Sequence, residues 1–437
     1  MEKNNTFENF YIRAILDADI IAETVVPGCH ILKPYGYLIW ERIRTIIDKD
    51  LTKLGYQKAY FPMLIPHSLF SRQKEFYNSF SKEAIFAERA GTTKLAEKYV
   101  IRPTSEPVII PSVKGWIRNE KDLPLKIVQW CNIIRWEVLK TPFPLIRSNE
   151  FLWHECYSFH ANKKECDNAT KTIYLLYRNF MVNYLAIPVF TGLKPDRRKF
   201  PAAEYTFALE AIVKNCRSVQ AATSHSLGTN YSKPFDLKFN IKGKKNNPVY
   251  VSCAGLTTRL IGIIAMVHND EKGIILPPKI APYEIAVIGR TNIKLKNTFR
   301  CCSGKNKDYW IVHGVPIVID GKKLTRRDTL EVIELEKDPK KQLIEILKDI
   351  TSNLAKRAKE FKKSHTFEVV DYSRLCDIIG KQKGFCLSAW CGSVDCISRI
   401  KKDSNGSLRI INPINKKMSC IVCKKKGRYL GLFGQSY

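Results

Sequence analysis

Apolar residues recur at helical spacing in two long segments of the chain. Between residues 36 and 54 they occupy Leu38, Ile39, Ile43, Ile46, Ile47, Leu51 and Leu54. From Pro339 to Phe361 the same spacing repeats, with lysines on the opposite side. One apolar stripe of this kind is typical of a helix that packs against a core. We therefore predict two long amphipathic helices, the first of which ends before Gly55.

Shorter apolar runs with strand character lie between these two helices. The run from Lys58 to Ile65 contains Pro62, which lacks a backbone N–H, so we predict one strand at an edge or interface. Gln129–Glu137 and Phe151–Glu155 form a second pair of runs, joined by a proline-containing turn. More strand-like segments follow between residues 200 and 239. The pattern favours an antiparallel sheet.

Charged residues interrupt the strand pair at positions that face the same way. Residues two apart on a strand share one face, so Arg135 and Glu137 project together, as do Phe151, Trp153 and Glu155. Unpaired charge inside a sheet is unfavourable, so these groups require a partner. A bound ligand and a structural Arg–Glu ion pair both satisfy this requirement.

The second half of the chain divides at a proline-rich linker. Residues 255–262 open an apolar helical segment that ends near His268, and Pro277–Pro278 then hold the chain extended, which predicts a domain boundary. Ile285–Gly289 and Ile311–Ile319 are predicted strands of a small second domain. The lysine-rich helix described above is predicted to begin a third unit.

The composition predicts a multidomain protein with a polyanionic partner. The 437 residues are 45% hydrophobic, which is enough for two to four packed domains. Seventy-two Lys and Arg against 42 Asp and Glu give a net charge of +30, which favours binding to a phosphate backbone, although a lysine-rich coding bias would give the same excess. With no leader-like start and no long apolar run, we expect a cytoplasmic protein that does not bind membranes.

Four of the 14 cysteines have the spacing of a metal site. Cys391 and Cys396 are separated by four residues, and Cys420 and Cys423 by two. Two such pairs are typical of a tetrahedral thiolate site, although four unrelated thiols remain an alternative. Most of the other cysteines are scattered singly and are predicted to be reduced core residues.

Several short motifs occur in an order that resembles a known enzyme family. They are Arg102-Pro103-Thr104-Ser105-Glu106, Arg135-Trp136-Glu137, Phe151-Leu152-Trp153-His154-Glu155, Gly255-Leu256-Thr257-Thr258-Arg259 and the final Leu432-Phe433-Gly434-Gln435-Ser436-Tyr437. Together they resemble class II aminoacyl-tRNA synthetases, specifically prolyl-tRNA synthetase of the archaeal and eukaryotic type. The resemblance extends nearly from end to end of the chain.

The resemblance implies an activity, its substrates and the residues of its site. It implies ATP-dependent attachment of L-proline to tRNA(Pro) through a prolyl-adenylate, by a homodimer that uses ATP, Mg2+ and a structural Zn2+. Arg135 and Arg259 are expected to be catalytic. The expected proline-binding residues are Thr104, Glu106, Arg135, Trp153, Phe200, His225 and Cys253. The expected ATP-binding residues are Arg135, Glu137, Arg147, Ser148, Gln220, Thr223, Thr257 and Arg259, and the expected zinc ligands are Cys391, Cys396, Cys420 and Cys423.

The resemblance also implies a fold class and three domains. Residues 1–281 are expected to form a class II catalytic domain, an antiparallel sheet flanked by helices. Residues 282–337 are expected to form a shortened α/β anticodon-binding domain, and residues 338–437 a small C-terminal zinc-binding α+β domain. The whole is therefore a multidomain protein with α+β and α/β parts.

The chain departs from the family pattern near the expected pocket. Ala202, Ala203, Ala221 and Ala222 stand where family members usually carry paired glycines, and Cys253 and Ala254 replace a serine and a tryptophan. His154 replaces a glutamine and Asn149 an arginine. We expect these changes to alter affinity and proline selectivity. Two alternatives are a catalytically weakened synthetase-like RNA-binding protein and a class II synthetase for another amino acid, such as threonine.

Overall fold

The structure, a computed structural model, describes residues 6–136, 141–241, 244–289, 298–414 and 417–437. Its helices are α1 (Phe7–Asp17), α2 (Pro34–Lys53), α3 (His67–Phe70), α4 (Lys74–Phe80), α5 (Glu106–Ser112), α6 (Lys163–Asn183), α7 (Arg259–Val267), α8 (Lys307–Val312), α9 (Lys340–Ser364), α10 (Tyr372–Gly380) and α11 (Val394–Ser404).

The strands follow the same chain order. They are β1 (Ile21–Glu23), β2 (His30–Leu32), β3 (Gln57–Lys58), β4 (Leu64–Pro66), β5 (Ile85–Ala90), β6 (Thr93–Ile101), β7 (Leu125–Ile134), β8 (Glu150–His160), β9 (Val189–Leu193), β10 (Tyr205–Ile212), β11 (Ser218–Gly228), β12 (Lys238–Ile241), β13 (Lys244–Pro248), β14 (Tyr250–Thr257), β15 (Asn269–Asp270), β16 (Gly273–Ile274), β17 (Ile285–Ile288), β18 (Cys301–Ser303), β19 (Ile317–Asp320), β20 (Lys323–Arg326), β21 (Val332–Glu334), β22 (Thr366–Glu368), β23 (Phe385–Trp390), β24 (Ser407–Pro413) and β25 (Tyr429–Gly434).

Both long amphipathic helices are confirmed. Helix α2 begins at Pro34, a residue suited to a first helical turn because that turn does not need its N–H. Its stripe of Ile39, Ile43, Ile47 and Leu51 is fully buried in the main core. Helix α9 likewise buries its apolar face, and its lysines are exposed except Lys362, which is partly buried and donates to the carbonyl oxygen of Val189 at 2.7 Å.

The central feature is an eleven-stranded sheet in the order β22-β23-β25-β24-β9-β10-β11-β14-β8-β7-β3. Its middle strands, from β9 to β7, pair antiparallel throughout, which confirms the predicted antiparallel sheet. Helix α6 lies along β8, β11 and β14 on one face. The alternation of side chains leaves the other face of these strands available for a site.

The predicted single strand from Lys58 to Ile65 is wrong. Only its first residue, Lys58, belongs to β3, which pairs with β7, whereas Leu64–Pro66 form β4 in a separate sheet with β5 and β6. The backbone between them binds a buried side chain, because the guanidinium of Arg102 donates to the carbonyl oxygen of Phe61 at 2.9 Å. Those carbonyl groups therefore do not extend the strand ladder.

The smaller five-stranded sheet has the order β18-β17-β19-β20-β21. The predicted strand from Ile311 to Ile319 is wrong in its first half, because residues Lys307–Val312 form helix α8. The side chain of Asn306 caps this helix, and Gly314 then turns the chain with a φ of 72°. Helix α9 packs its apolar face against this sheet.

The strands near the end of the chain extend the main sheet rather than form a sheet of their own. β24 reaches β9 through the pair Ile411 and Leu193. Helices α10 and α11 cover these strands with a compact apolar cluster. Among the helices that the structure describes, none has the length and apolarity needed to cross a membrane.

Candidate active site and four-cysteine cluster

A cavity of about 190 Å³ lies over the ends of the middle strands, on the face away from α6. Every described residue that was expected to bind proline or ATP lines it, namely Thr104, Glu106, Arg135, Arg147, Ser148, Trp153, Phe200, Gln220, Thr223, His225, Cys253, Thr257 and Arg259. Glu137 lies outside the described residues. The sequence thus predicted a set of residues that the fold brings together from many separate segments.

Strand alternation explains how one strand, β8, contributes to the cavity. Phe151, Trp153 and Glu155 share one face as predicted, and this face lines the cavity together with Tyr157, two residues further along β8. The intervening His154 points into the opposite core, where its ring stacks on Trp130 with centroids 4.4 Å apart. A single strand therefore divides its side chains between the site and the core.

A β-bulge in β11 explains why two residues that are three positions apart face the same side, which strand alternation alone does not allow. In the pairing of β10 with β11, Leu209 lies opposite Ala222 and Glu210 lies opposite Gln220, so Ala221 is the extra residue. The bulge turns Gln220 towards the same side as Thr223. The expected Gln220 and Thr223 therefore share the cavity although they are three residues apart.

Arg135 sits in an aromatic enclosure at the middle of the cavity. Its Nε donates to the carbonyl oxygen of Pro103 at 2.8 Å, and its guanidinium lies 5.1 Å from the ring centre of Phe80, 5.4 Å from Trp153 and 5.9 Å from Phe151. Strand β7 ends at Ile134, but the N–H of Arg135 still donates to the carbonyl oxygen of Asn149 at 2.8 Å, so the strand pairing and the side-chain contacts together place Arg135. The enclosure fixes a permanent positive charge at this point.

A second cationic end of the cavity is built where β14 turns into α7. The backbone N–H of Arg259 donates to Thr257 Oγ1 at 2.9 Å, and its Nε donates to the carbonyl oxygen of Ile146 at 2.8 Å. Its Nη1 also donates to the carbonyl oxygen of Gln220 at 3.4 Å. Arg259 thereby fastens the loop that carries Arg147 to the sheet. Two guanidinium groups line this end, which suits an anionic ligand.

The opposite end of the cavity is acidic and buried. Glu106 accepts from Thr104 Oγ1 at 2.6 Å, and its Oε1 lies 2.9 Å from the hydroxyl oxygen of Tyr157. Burial, followed by the neighbouring charge of Glu155, raises the pKa of Glu106 to about 7. Aromatic rings and a buried carboxyl group beside them suit a small apolar cation.

The aromatic wall next to this end is held by a neutral histidine. The rings of Phe200 and His225 lie 4.8 Å apart, and His225 Nδ1 lies 2.9 Å from Thr206 Oγ1. Burial, with smaller contributions from the cations of Lys194 and Arg135, lowers the pKa of His225 to about 3. His225 is therefore uncharged at neutral pH and serves as wall and hydrogen-bonding group.

One glycine is required for Trp153 to reach the cavity. A Cβ on Gly255 would lie 2.6 Å from the indole Cζ2 of Trp153, which is closer than any real contact of this type. Glycine therefore lets β14 pass behind the ring. The motif residue Gly255 is explained by packing.

The structure adds residues that sequence reasoning did not assign to the site. Glu155 and Tyr157 lie at the acidic end, Phe80 lies beside Arg135, and Lys194 lines the wall near His225. Strand alternation on β8 was a sufficient signal for Glu155 and Tyr157. Nothing in the local sequence of α4 pointed to Phe80, because it reaches the cavity through tertiary packing alone.

The departures from the family pattern fall in two places. Cys253 and Ala254 line the cavity, so they change its surface directly. Ala202, Ala221 and Ala222 are instead buried in the cores behind it. Asn149, which replaces an arginine, binds the carbonyl oxygen of Pro27 at 2.9 Å and so anchors the loop beside the cavity.

The four predicted metal ligands form one cluster. The Sγ atoms of Cys391, Cys396, Cys420 and Cys423 all lie within 4.8 Å of one another. The Sγ of Cys391 is 3.7 Å from that of Cys396 and 3.6 Å from that of Cys423, and the Sγ atoms of Cys420 and Cys396 are 3.9 Å apart. Four thiolates at about 2.3 Å from one ion in a tetrahedron give this separation, so the donor set fits a metal.

The fold and the cavity are those of a class II aminoacyl-tRNA synthetase. The family model "tRNA synthetase class II core domain (G, H, P, S and T)" matches residues 90–268, and the model "Prolyl-tRNA synthetase, C-terminal" matches residues 372–437. The chain belongs to the prolyl-tRNA synthetase family. The predicted family and fold class are thereby confirmed, while the archaeal and eukaryotic type stays a prediction.

Curated relatives match over the full chain. A proline–tRNA ligase of Borrelia garinii subsp. bavariensis is 36% identical over 483 residues, covering 100% of this chain and 99% of that protein. The Symbiobacterium thermophilum proline–tRNA ligase is 34% identical over 477 residues, covering 100% and 97%. Both alignments are longer than the 437 residues of this chain, so the chain lacks segments that these relatives have.

A solved structure has the same architecture. The prolyl-tRNA synthetase of Cryptosporidium parvum, in complex with halofuginone and AMPPNP, superposes with a TM-score of 0.91 at 31% identity, covering 100% of this chain and 96% of that one. The match extends the similarity beyond the class II core to the rest of the chain.

Proposed function

We propose that this chain attaches L-proline to tRNA(Pro), using ATP and passing through a prolyl-adenylate. The observation that carries this proposal is the division of one cavity into an acidic aromatic end and a cationic end with Arg135 between them. Proline offers a secondary ammonium, a small apolar ring and a carboxylate, whereas ATP offers a polyanion. The two ends of the cavity match these two substrates.

Proline is proposed to bind at the acidic end. Its ammonium would meet Glu106 and Thr104, and its ring would lie against Trp153 and Phe200, with His225 at the rim and Cys253 behind. Its carboxylate would then point towards Arg135. This orientation places the nucleophilic oxygen at the middle of the cavity, next to the site proposed for the α-phosphate.

ATP is proposed to bind at the cationic end. Arg135 would hold the α-phosphate, while Arg147 and Arg259 would hold the far end of the nucleotide. The remaining contacts are assigned to Glu137, Ser148, Gln220, Thr223 and Thr257. When the carboxylate attacks the α-phosphate, charge grows on its oxygens, and fixed guanidinium groups stabilise that charge without any proton transfer. Mg2+ accompanying ATP would neutralise further phosphate charge.

The four-cysteine cluster is proposed to hold a structural Zn2+. Four protein ligands fill a tetrahedral coordination shell and leave no position for substrate. The ion would fasten α11 and the strands beside it. The metal would therefore stabilise the fold and take no part in the reaction.

The enzyme is proposed to act as a cytoplasmic homodimer that binds tRNA through a basic surface. Helix α2 exposes Tyr37 and Leu38 on its outer side, at 42% and 41%, which suits burial against a second copy. Residues 1–281 are proposed as the catalytic domain, 282–337 as the shortened anticodon-binding domain and 338–437 as the zinc-binding domain. The +30 charge suits the phosphate backbone of tRNA.

Pyrophosphate exchange into ATP tests the first half-reaction without tRNA. The purified chain is expected to exchange with proline and not with alanine, cysteine or threonine. Arg135→Ala is expected to lower the rate by about 100-fold or more, because it removes the cation next to the α-phosphate. Arg89→Ala, an exposed arginine far from the cavity, is the matched control and should keep the wild-type rate.

Absence of exchange with every amino acid from folded protein would contradict the proposal. Formation of prolyl-tRNA(Pro) in the presence of tRNA then tests the second half-reaction. The alternative of a catalytically weakened RNA-binding protein has no support from the family comparisons.

A further inference from the structure

The acidic end of the cavity contains two buried carboxyl groups. Glu106 and Glu155 are each 2% exposed, and both line the cavity. Of these two carboxyl groups, only that of Glu106 was among the expected site residues. A second carboxyl group at such a place has a physical consequence, because two like charges in a desolvated pocket oppose each other's ionisation.

Glu155 is surrounded by donors. Its Oε1 accepts from Gln129 Nε2 at 2.5 Å and from the hydroxyl of Ser105, and the thiol of Cys131 lies 3.6 Å away. Its Oε2 lies 2.9 Å from the hydroxyl of Tyr157. Both carboxyl oxygens of Glu155 are therefore held by contacts within the protein.

Tyr157 connects the two carboxyl groups. Its hydroxyl oxygen lies 2.9 Å from Glu155 Oε2 and also 2.9 Å from Glu106 Oε1. A phenol has one proton to donate, so only one of these two contacts can be a donation from Tyr157. The other contact is favourable when the carboxyl group itself carries a proton. The geometry therefore suits one extra proton in the Glu106–Tyr157–Glu155 group.

We propose that Glu106 and Glu155 hold one shared proton in the empty pocket, and that the secondary ammonium of proline displaces this proton to solvent when it binds. Glu155 is then a positioning residue for the substrate-binding Glu106. This inference rests on the proposed function, because it takes proline as the ligand. The charge balances, since a neutral carboxyl group becomes a carboxylate as the cationic ammonium arrives.

Burial keeps the tyrosine and cysteine side chains around Glu106 uncharged. It raises the pKa values of Tyr157, Tyr231 and Cys253, so these groups stay neutral at pH 7. The guanidinium of the nearby Arg102 donates hydrogen bonds to the carbonyl oxygens of Phe61 and Asn132. His225 on β11 is neutral for the reason given above. The carboxyl pair is therefore the group expected to exchange a proton near neutrality.

The sign of the pH dependence follows from this exchange. Burial and the charge of Glu155 raise the pKa of Glu106 to about 7, so the carboxyl group of Glu106 is mostly protonated below that pH. Proline must displace the proton there, and its affinity is expected to rise about tenfold between pH 6 and pH 8. At pH 6.5, binding should release about three-quarters of a proton per site.

Calorimetry with the full-length protein measures this release directly. Proline is titrated at pH 6.5 in two buffers of different ionisation enthalpy, and the difference in heat gives the number of protons released. We expect release at pH 6.5 and almost none at pH 8.5. This measurement on the wild-type chain does not depend on any variant folding.

Two variants assign the effect to Glu155. Glu155→Gln removes the like charge, so proton release should fall severalfold and the pH dependence of proline affinity should flatten. Glu165→Gln, an exposed carboxylate on α6, should leave both unchanged. Proline binding without proton release at pH 6.5 would overturn the shared proton, and unchanged release in Glu155→Gln would overturn the role of Glu155. Absence of proline binding at every pH would instead contradict the proposed function.

Discussion

Ala202 has a backbone conformation that favours glycine. Its φ is 56°, in the left-handed region, and the residue is buried two positions after the wall residue Phe200. Two hydrogen bonds hold it there, because its N–H donates to Glu75 Oε2 at 3.1 Å and its carbonyl oxygen accepts from Asn230 at 2.8 Å. The surroundings thus impose a conformation that a Cβ makes unfavourable.

We expect Ala202→Gly to stabilise the protein. Relief of the left-handed strain exceeds the entropy that glycine adds to the unfolded chain, so the free energy of unfolding should rise by roughly 0.5–1 kcal/mol. Denaturant unfolding measures this change. Ala203→Gly is the matched control, because Ala203 does not have a positive φ and should lose stability instead. A loss in both variants would show that no strain is stored at Ala202.

Strand β8 carries a histidine whose charge the core cannot accommodate. His154 is fully buried between Trp130 and Tyr177, with its ring centre 4.4 Å and 5.8 Å from theirs. Among the described residues, neither of its ring nitrogens has a hydrogen-bond partner. Burial lowers the pKa of His154 to about 3.

This histidine predicts a loss of stability in mild acid. Above the usual histidine pKa of about 6.5 the ring is neutral in both the folded and unfolded chain. As the pH falls below that value, the unfolded state binds a proton that the folded state refuses until about pH 3, so stability declines. His154→Leu should reduce the slope by up to about 1.4 kcal/mol per pH unit.

Unfolding midpoints measured from pH 8 down to pH 4 test this expectation. The values at pH 8 give the packing effect of the substitution alone, because the ring is neutral there. Parallel curves for the wild type and His154→Leu would contradict the assignment.

Elements with a strong periodic pattern could be predicted from the sequence, and elements set by tertiary contacts could not. The stripe that begins at Leu38 and the alternation through Trp153 both gave the correct element. The break in the predicted strand around Pro62 required the buried Arg102, which lies 40 residues away in the chain. The bulge at Ala221 and the approach of Phe80 to Arg135 likewise depend on partners that no local pattern encodes.

Buried ions join distant parts of the molecule. Glu210 on β10 is fully buried and accepts from Lys194 Nζ at 2.7 Å. It also accepts from Arg409 on β24, whose Nη2 lies 3.1 Å from Oε1 and 3.0 Å from Oε2 and whose Nε lies 3.3 Å from Oε2. Burial alone would raise the pKa of Glu210, but Arg409 and Lys194 hold it at about 2. The carboxylate is thus ionised at every pH of interest.

We expect Glu210→Gln to destabilise the whole protein by about 3 kcal/mol, because it leaves two buried cations without a counter-charge. Asp377→Asn is the control, since it removes an exposed carboxylate that pairs with Lys381 and Lys383 and should change stability far less. Thermal unfolding at pH 7 compares the two. Equal effects would mean that the buried pair contributes no more than a surface pair.

The addition of β24 to β9 has a consequence for the order in which the protein acquires its structure. Arg409 and Glu210 are 199 residues apart in the chain, and Ile411 and Leu193 pair across the same junction. During synthesis, β9 therefore leaves the ribosome long before β24, its neighbour on this side of the sheet, has been made. Until then it is an open sheet edge with unpaired backbone groups, which is a hazard for association with other nascent chains. The need for a chaperone should thus peak midway through translation and end only when β24 has emerged.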